Sequence, residues 1–167
     1  MATGQWVISL VRPEDNVVLA QLLREALIEM EVPFDGTAIS DLEMDAMYDT
    51  YQYVRDDYWV VCHRNRILGV ADIATLRNVP YGHSELQKIY FLPNARARGL
   101  GSQLMRKCLQ QPKKFRFTDR YLDTIPNMMY AQKLYQKLGF EYIEHPLDNT
   151  NHYSCSVWMV KTLRDDT

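Results

Sequence analysis

Three cysteines among 167 residues are few. Cys62, Cys108 and Cys155 are far apart, odd in number and without CxxC spacing, which excludes a disulfide framework and a zinc site and favours a reducing compartment. No run approaches the ~18 apolar residues of a membrane span, and residues 1–6 carry no apolar signal core. A soluble, cytoplasmic protein is expected. A net charge of −2 gives no global reason for nucleic-acid or membrane binding. Linkers, repeats and low-complexity tracts are missing too, so residues 1–167 are expected to form one domain. Two familiar nucleotide loops fail as well. Gly101 is followed by Ser102 and Gln103 rather than Lys, which rules out the Walker loop. The third residue after Gly101 is Leu104, which rules out G-x-G-x-x-G.

What is present is globular: 47% hydrophobic and 24% charged residues, on a chain that can bury roughly 70% of its unfolded surface. Residues 6–11 read as a strand, closed by Arg12-Pro13-Glu14-Asp15, which suits a helix start. Leu19, Leu22, Leu23, Ala26, Leu27 and Met30 form an apolar stripe, ended by Pro33 and Gly36. A second helical pattern covers 42–53, with Glu43, Asp45 and Asp49 early in it. Residues 58–63 and 67–76 read as strands of a hairpin joined by Arg64-Asn65-Arg66. A loop over 77–83 follows, then a strand over 86–92.

Pro93-Asn94 closes that strand, and Arg96, Gly99 and Gly101 open a helix with Leu100, Leu104, Met105, Cys108 and Leu109 on one face. Its first-turn N–H groups have no intrahelical acceptor, its dipole favours an anion, and glycine permits close approach: the turn suits a phosphate. Arg96, Arg98, Arg106, Lys107, Lys113, Lys114 and Arg116 lie in one span without an acid, either a solvated face or an attraction for phosphates. Residues 120–124 read as a strand. A helix runs from Pro126 through Met129, Ala131, Leu134, Tyr135 and Leu138 to a Gly139 cap. Strands over 140–143 and 153–160 complete a mixed α/β (α+β) domain.

Arg96-x-x-Gly99-x-Gly101, followed by Ala-x-x-Leu-Tyr-x-x-Leu-Gly-Phe from Ala131 to Phe140, resembles the GCN5-related N-acetyltransferase (GNAT) superfamily over nearly the whole chain. The tail at 149–155 is similar to a Thr-Gly-His-x-x-Cys segment of one bacterial branch, with Asn151 in place of its glycine. The resemblance implies a central, mostly antiparallel sheet splayed into a V and flanked by about four helices. It further implies acetyl-CoA as cosubstrate, no metal, no nucleic-acid or membrane partner, and a homodimer in some members. Acetyl would pass directly to a primary amine, of a small molecule or a protein, through a tetrahedral intermediate. The competing reading is a regulatory module that binds acetyl-CoA with little or no catalysis.

Carried over residue by residue, the N–H groups of Ala97, Arg98, Gly99, Leu100, Gly101 and Ser102 would hold the pyrophosphate, with Arg96 adding charge. A bulge in the preceding strand would free main-chain groups around Ile89, Tyr90 and Phe91 for the pantetheine arm, and the N–H of Phe91 would face the thioester oxygen. Ala97 replaces a common glycine, which is tolerable with an ordinary backbone angle. Asn127 stands one residue before the family's asparagine position, held here by Met128. Tyr135 matches the tyrosine that protonates the leaving thiolate, and equally fits a core aromatic beside Leu134 and Leu138. Glu85 is the first candidate for the base that frees the amine nitrogen. Parity puts it on one face with Gln87, Ile89 and Phe91. It also fits a surface carboxylate paired with Lys88 or another base. Asp72, His83 and His152 are further candidates. His152 and Cys155 fit either the acceptor pocket or a loop–strand junction. The acids at 43, 45 and 49 and the aromatics Phe34, Tyr48, Tyr51 and Tyr53 fit either dipole complementarity or a cationic acceptor's site.

Overall fold

The computed structural model describes residues 5–35, 37, 39, 41–77, 79–80, 82–110, 115–147 and 152–163. The expected helix stop at Gly36, the turn with Pro112, Lys113 and Lys114, and residues 149–151 of the tail lie outside them. The strands are β1 (Trp6–Leu10), β2 (Asp57–His63), β3 (Arg66–Thr75), β4 (His83–Glu85), β5 (Tyr90–Phe91), β6 (Asp119–Thr124), β7 (Glu141–Ile143) and β8 (Val157–Thr162). The helices are α1 (Asn16–Glu29), the one-turn α2 (Met47–Thr50), α3 (Leu100–Gln110) and α4 (Met129–Lys137).

One sheet of eight strands runs β1-β2-β3-β4-β6-β8-β7, with β5 also paired to β3. Among the described residues, β4 with β6 is the one parallel pair. The β2–β3 hairpin turns through Arg64 and Asn65, at φ 50° and 59°. Two such residues make a type I′ loop, which matches the strand twist. β3 is central, and residues 68–74 are all buried because both faces are covered. Val70 and Ala74 face α1 and α2, packing with Leu19, Leu23, Leu27, Met44 and Met47. Ala71 and Ile73 face α3 and α4, packing with Leu100, Leu104, Met105, Tyr135 and Phe140.

The helical pattern over 42–53 is interrupted. A 3-10 turn covers Leu42–Asp45, Ala46 leaves helical angles at φ −136°, and α2 restarts at Met47. The restart is capped from another helix: the side chain of Asn16 accepts the Tyr48 N–H at 2.7 Å. No local signal encodes that cap.

The strand expected over 86–92 is also interrupted. Ala74 pairs with Glu85 and Val70 with Tyr90, so β3 advances four residues while its partner advances five. One residue is therefore surplus, which is a β-bulge. Its cause is Asp72 on β3, whose carboxylate accepts the N–H of Gln87 at 2.7 Å and of Lys88 at 3.0 Å. A side chain has replaced the ladder acceptor. The bulge also corrects the parity expectation. Ile89 and Phe91 pack with Leu86 on the α3/α4 face, whereas Glu85 pairs with Ala74 on the opposite face.

Candidate active site

Beyond the bulge the sheet opens. The N–H of Leu86 still reaches the Tyr121 carbonyl at 2.9 Å. From there β5 stays with β3, while β6 continues along β8. The wedge between β5 and β6 is the V. On its β5 wall, Leu92 N–H bonds the Leu68 carbonyl at 2.9 Å, so the 68/92 and 70/90 pairs are the hydrogen-bonded ones and 69/91 lies between them. In antiparallel pairing the polar groups of such an intervening residue point away from the partner strand. The N–H and C=O of Phe91 therefore point from β3 into the wedge. Arg96 Nε takes the Phe91 carbonyl at 2.8 Å.

The phosphate-type loop lies at one end of this wall. Ala97 has φ 57° and Gly99 φ 71°, and the first helical donor is Gln103, to the Gly99 carbonyl at 3.1 Å. The N–H groups of Leu100, Gly101 and Ser102 accordingly have no helical acceptor. A Cβ built on Gly99 would meet nothing within 4 Å. The glycine is required there for its backbone angle, and space is left above it. An open cradle of N–H donors at a helix start fits the pyrophosphate of a coenzyme A thioester.

Two expectations for the loop are corrected. Ala97 does not keep an ordinary angle. An L-residue in the left-handed region is strained by roughly 1–2 kcal/mol, so Ala97→Gly is expected to raise stability by about 0.5–1 kcal/mol in urea unfolding; an unchanged or lower midpoint would refute this. Arg96 is not a free charge for phosphate. Its guanidinium is paired with the Glu29 carboxylate, Nη1 to Oε1 at 2.7 Å, tying the loop to the end of α1. The basic run divides similarly: Arg98 lies over Trp6 and Lys107 over Trp59.

On the far side stands α4. Tyr135 is 7% exposed, its ring 6.0 Å from that of Phe140. Burial, with Asp123 adding to it, raises its phenol above the ordinary range, so the group is held protonated. Asn127 is exposed in the turn before α4.

The floor of the wedge is a recess of about 340 Å³, counting its open mouth, lined among others by Gln87, Tyr90, Asp123, Met128, His152 and Cys155. His152 Nε2 lies 3.2 Å from Asp41 Oδ1, and Nδ1 lies 3.8 Å from Asp123 Oδ2. Lys88, only 4% exposed, places Nζ 3.3 Å from the other Asp41 oxygen. The hydrogen bond that His152 donates to Asp41, opposed by burial, raises the His152 pKa. Burial works against Asp41 ionising, but His152 and Lys88 outweigh it and hold the carboxyl below its usual range. Burial and Asp123 push the Cys155 thiol up to about 12.

This pair has a pH signature. A raised histidine pKa contributes stability fully present below about pH 6.5 and lost as pH rises through the folded value. A lowered aspartate pKa contributes above about pH 4 and is lost as pH falls. The Tm is therefore expected to decline from pH 6 to pH 8, and Asp41→Asn to flatten that decline; equal slopes would show that the pair does not carry it.

Glu85 is 3% exposed, not a surface carboxylate, and the Lys88 ammonium is turned to Asp41. It accepts from the Gln87 amide at 2.7 Å, and so faces the recess through Gln87. Asp72 is fully buried at the bulge, with the Tyr51 hydroxyl donating to it. His83 stands by Asp119 at the other end of β4. Cys108 is buried in the core, its thiol pushed up to about 12. The last strand begins at Val157, since 152–155 turn to present His152 and Cys155 to the recess. Asp41 and Asp123 went unnoticed in the sequence, and Lys88 was read only as a surface partner for Glu85. Lys88 had a signal, because a lysine within an apolar strand needs a buried partner.

A model of the Acetyltransferase (GNAT) family matches residues 24–140. The chain belongs to this family. The GNAT protein is 34% identical over 151 residues to the uncharacterized N-acetyltransferase YjgM of Escherichia coli K12, covering 90% of each chain. Its fold matches an acetyltransferase of the GNAT family from Staphylococcus aureus Mu50 at TM-score 0.85 and 18% identity, over 96% of this chain and 100% of the other. It also matches YncA of Salmonella typhimurium, solved with its cofactor acetyl-CoA, at TM-score 0.76 and 14% identity, over 98% and 96%. The chain is an acyl-CoA-dependent acetyltransferase of mixed α/β fold. β1, β7 and β8 lie outside the matched span, yet all three pair within the same sheet. Among the described residues no helix is long and apolar enough to cross a membrane.

Proposed function

We propose that this GNAT enzyme transfers acetyl from acetyl-CoA directly to a primary amine, in the cytoplasm. One observation supports the reading: the N–H of Phe91 points into the wedge between β5 and β6, and the open N–H cradle of Leu100, Gly101 and Ser102 lies at its end, with Tyr135 on α4 as the group that would stand across from it. The cradle would hold the pyrophosphate. The thioester supplies an activated acyl carbon, and Phe91 N–H is suited to stabilising the charge that develops on its oxygen. Tyr135 keeps its proton until a thiolate forms beside it. Burial raises the phenol, and a thiolate formed in the same water-poor wedge is made more basic by the same desolvation, which keeps the transfer within reach.

The cysteines support direct transfer. Cys108 is sealed in the core, and the Cys155 thiol is held protonated, so neither offers the thiolate that an acyl-enzyme needs. Glu85 supports the site by orienting the Gln87 amide toward the acceptor.

The test has two parts. Calorimetry should show acetyl-CoA binding, and a thiol-release screen over polyamines, amino acids, aminoglycosides and peptides should yield a substrate. Binding without release on any amine would turn the reading to a regulatory module; absence of binding would sink both.

A further inference from the structure

We propose that His152 is the base that deprotonates the acceptor, and that the acceptor enters as an alkylammonium seated between His152 and Asp123. The proposal rests on the amine-transfer reading above and names its acceptor site. A neutral imidazole carries a single N–H. The 3.2 Å contact with Asp41 places that proton on Nε2, leaving the Nδ1 lone pair turned to Asp123 Oδ2 at 3.8 Å. Two acceptors then face each other at a separation too long for a hydrogen bond between them. Both line the recess. A cation with several N–H donors satisfies them together. A hydroxyl offers one donor, and a carboxylate or phosphate offers none. Asp123 also takes a hydrogen bond from Cys155, and a carboxylate with about four lone-pair sites can accept both. Val32, Ile125 and Met128 line the recess for an alkyl body, and Thr37 and Gln87 offer polar contacts.

The groups facing His152 set how readily it gives up its proton. Asp41 and Asp123 favour the imidazolium, while Lys88, across Asp41, opposes it. Cys155, from the same loop, is a neutral thiol. When His152 is protonated, its two N–H groups turn to Asp41 and Asp123, and the acceptor's place is filled. An arriving ammonium competes with that proton, so the imidazole is neutral when the amine is bound. Asp41 is a positioning residue: it fixes the tautomer that leaves Nδ1 able to accept.

The protons balance. His152 Nδ1 takes one ammonium proton, and the freed nitrogen lone pair forms the C–N bond as the carbonyl electrons shift to oxygen, toward Phe91 N–H. The C–S bond then breaks with its electron pair on sulfur, and Tyr135 passes its proton to that sulfur. The phenol is restored by the second proton leaving nitrogen, and His152 returns its proton to water.

The experiment is histidine-selective ¹⁵N NMR of the full chain saturated with coenzyme A, titrated with n-butylamine at pH 7. The His152 ring signals, assigned with His152→Gln, should shift saturably, and Asp123→Asn should abolish the shift. An unmoved His152, or an equal shift in Asp123→Asn, overturns the proposal. Kinetics on the amine found by the thiol-release screen add a second arm. His152→Gln should lower kcat/KM by about 10²–10⁴-fold and remove the acid limb of the pH–rate profile, with acetyl-CoA affinity within about twofold. Glu85→Gln should keep that limb. An acid limb retained in His152→Gln and lost in Glu85→Gln returns the base to Glu85. Failure of wild-type protein to bind acetyl-CoA, by contrast, strikes the amine-transfer reading itself.

Discussion

Tyr135→Phe is expected to lower kcat by about 10²–10⁴-fold, the range for loss of a positioned general acid, while leaving acetyl-CoA affinity nearly unchanged. The expectation follows from where the ring sits. Tyr135 is on the core face of α4, packed with Phe140 and Leu104, and removal of one oxygen leaves that packing intact. Burial holds the phenol protonated, so over the working pH range the wild type differs from the variant by one available proton. Burst kinetics and calorimetry separate the outcomes. If the ring only fills the core, turnover stays within about twofold of wild type, and Tyr135 leaves the mechanism.

Gly69→Ala is expected to cost both stability and turnover, although the substitution adds one methyl group. The ring of Phe91 lies directly against Gly69, and a Cβ there would fall inside van der Waals contact with it. The two residues form the non-hydrogen-bonded pair of β3 and β5, where side chains approach most closely. The ring cannot slide far, because its other side reaches toward Gly101 at the start of α3. The strand must then shift, and overpacking of this kind costs about 1–3 kcal/mol. The shift also moves the Phe91 N–H, and loss of one oxyanion-type donor costs about 10²–10³-fold in kcat. Urea unfolding and steady-state rates check the two effects. The double variant Gly69→Ala/Phe91→Leu should recover most of the stability, since the smaller side chain vacates the space. Wild-type turnover in Gly69→Ala would show that the N–H of Phe91 carries no part of the reaction.

Much of the fold was legible because its signals are local. The apolar stripe of α1, the hairpin at Arg64-Asn65, the Gly99 loop and the Gly139 cap each occupy a few neighbouring residues, where spacing and backbone preference act directly. The two family blocks are likewise contiguous, and with them came the turn before α3 and the mostly antiparallel sheet. Local pattern misled where a distant side chain took over a backbone bond. Period-2 reading assigned Glu85 to the face of Phe91, but Asp72, from another strand, captures the N–H groups of Gln87 and Lys88 and inserts a residue between them. Helical spacing joined 42–53 into one element, but Asn16 caps a new start at Tyr48.

The recess carries the same lesson further. Asp41 and His152 are 111 residues apart, and neither sits in a motif that names the other. By itself the sequence determined the family and the glycine-bearing turn that opens α3, since these depend on short-range spacing along a strand, a turn and a helix. Only the tertiary structure decided which charged groups share the recess. Burial there makes each ionised side chain depend on an opposite charge contributed by a remote segment, and chain order does not encode that pairing.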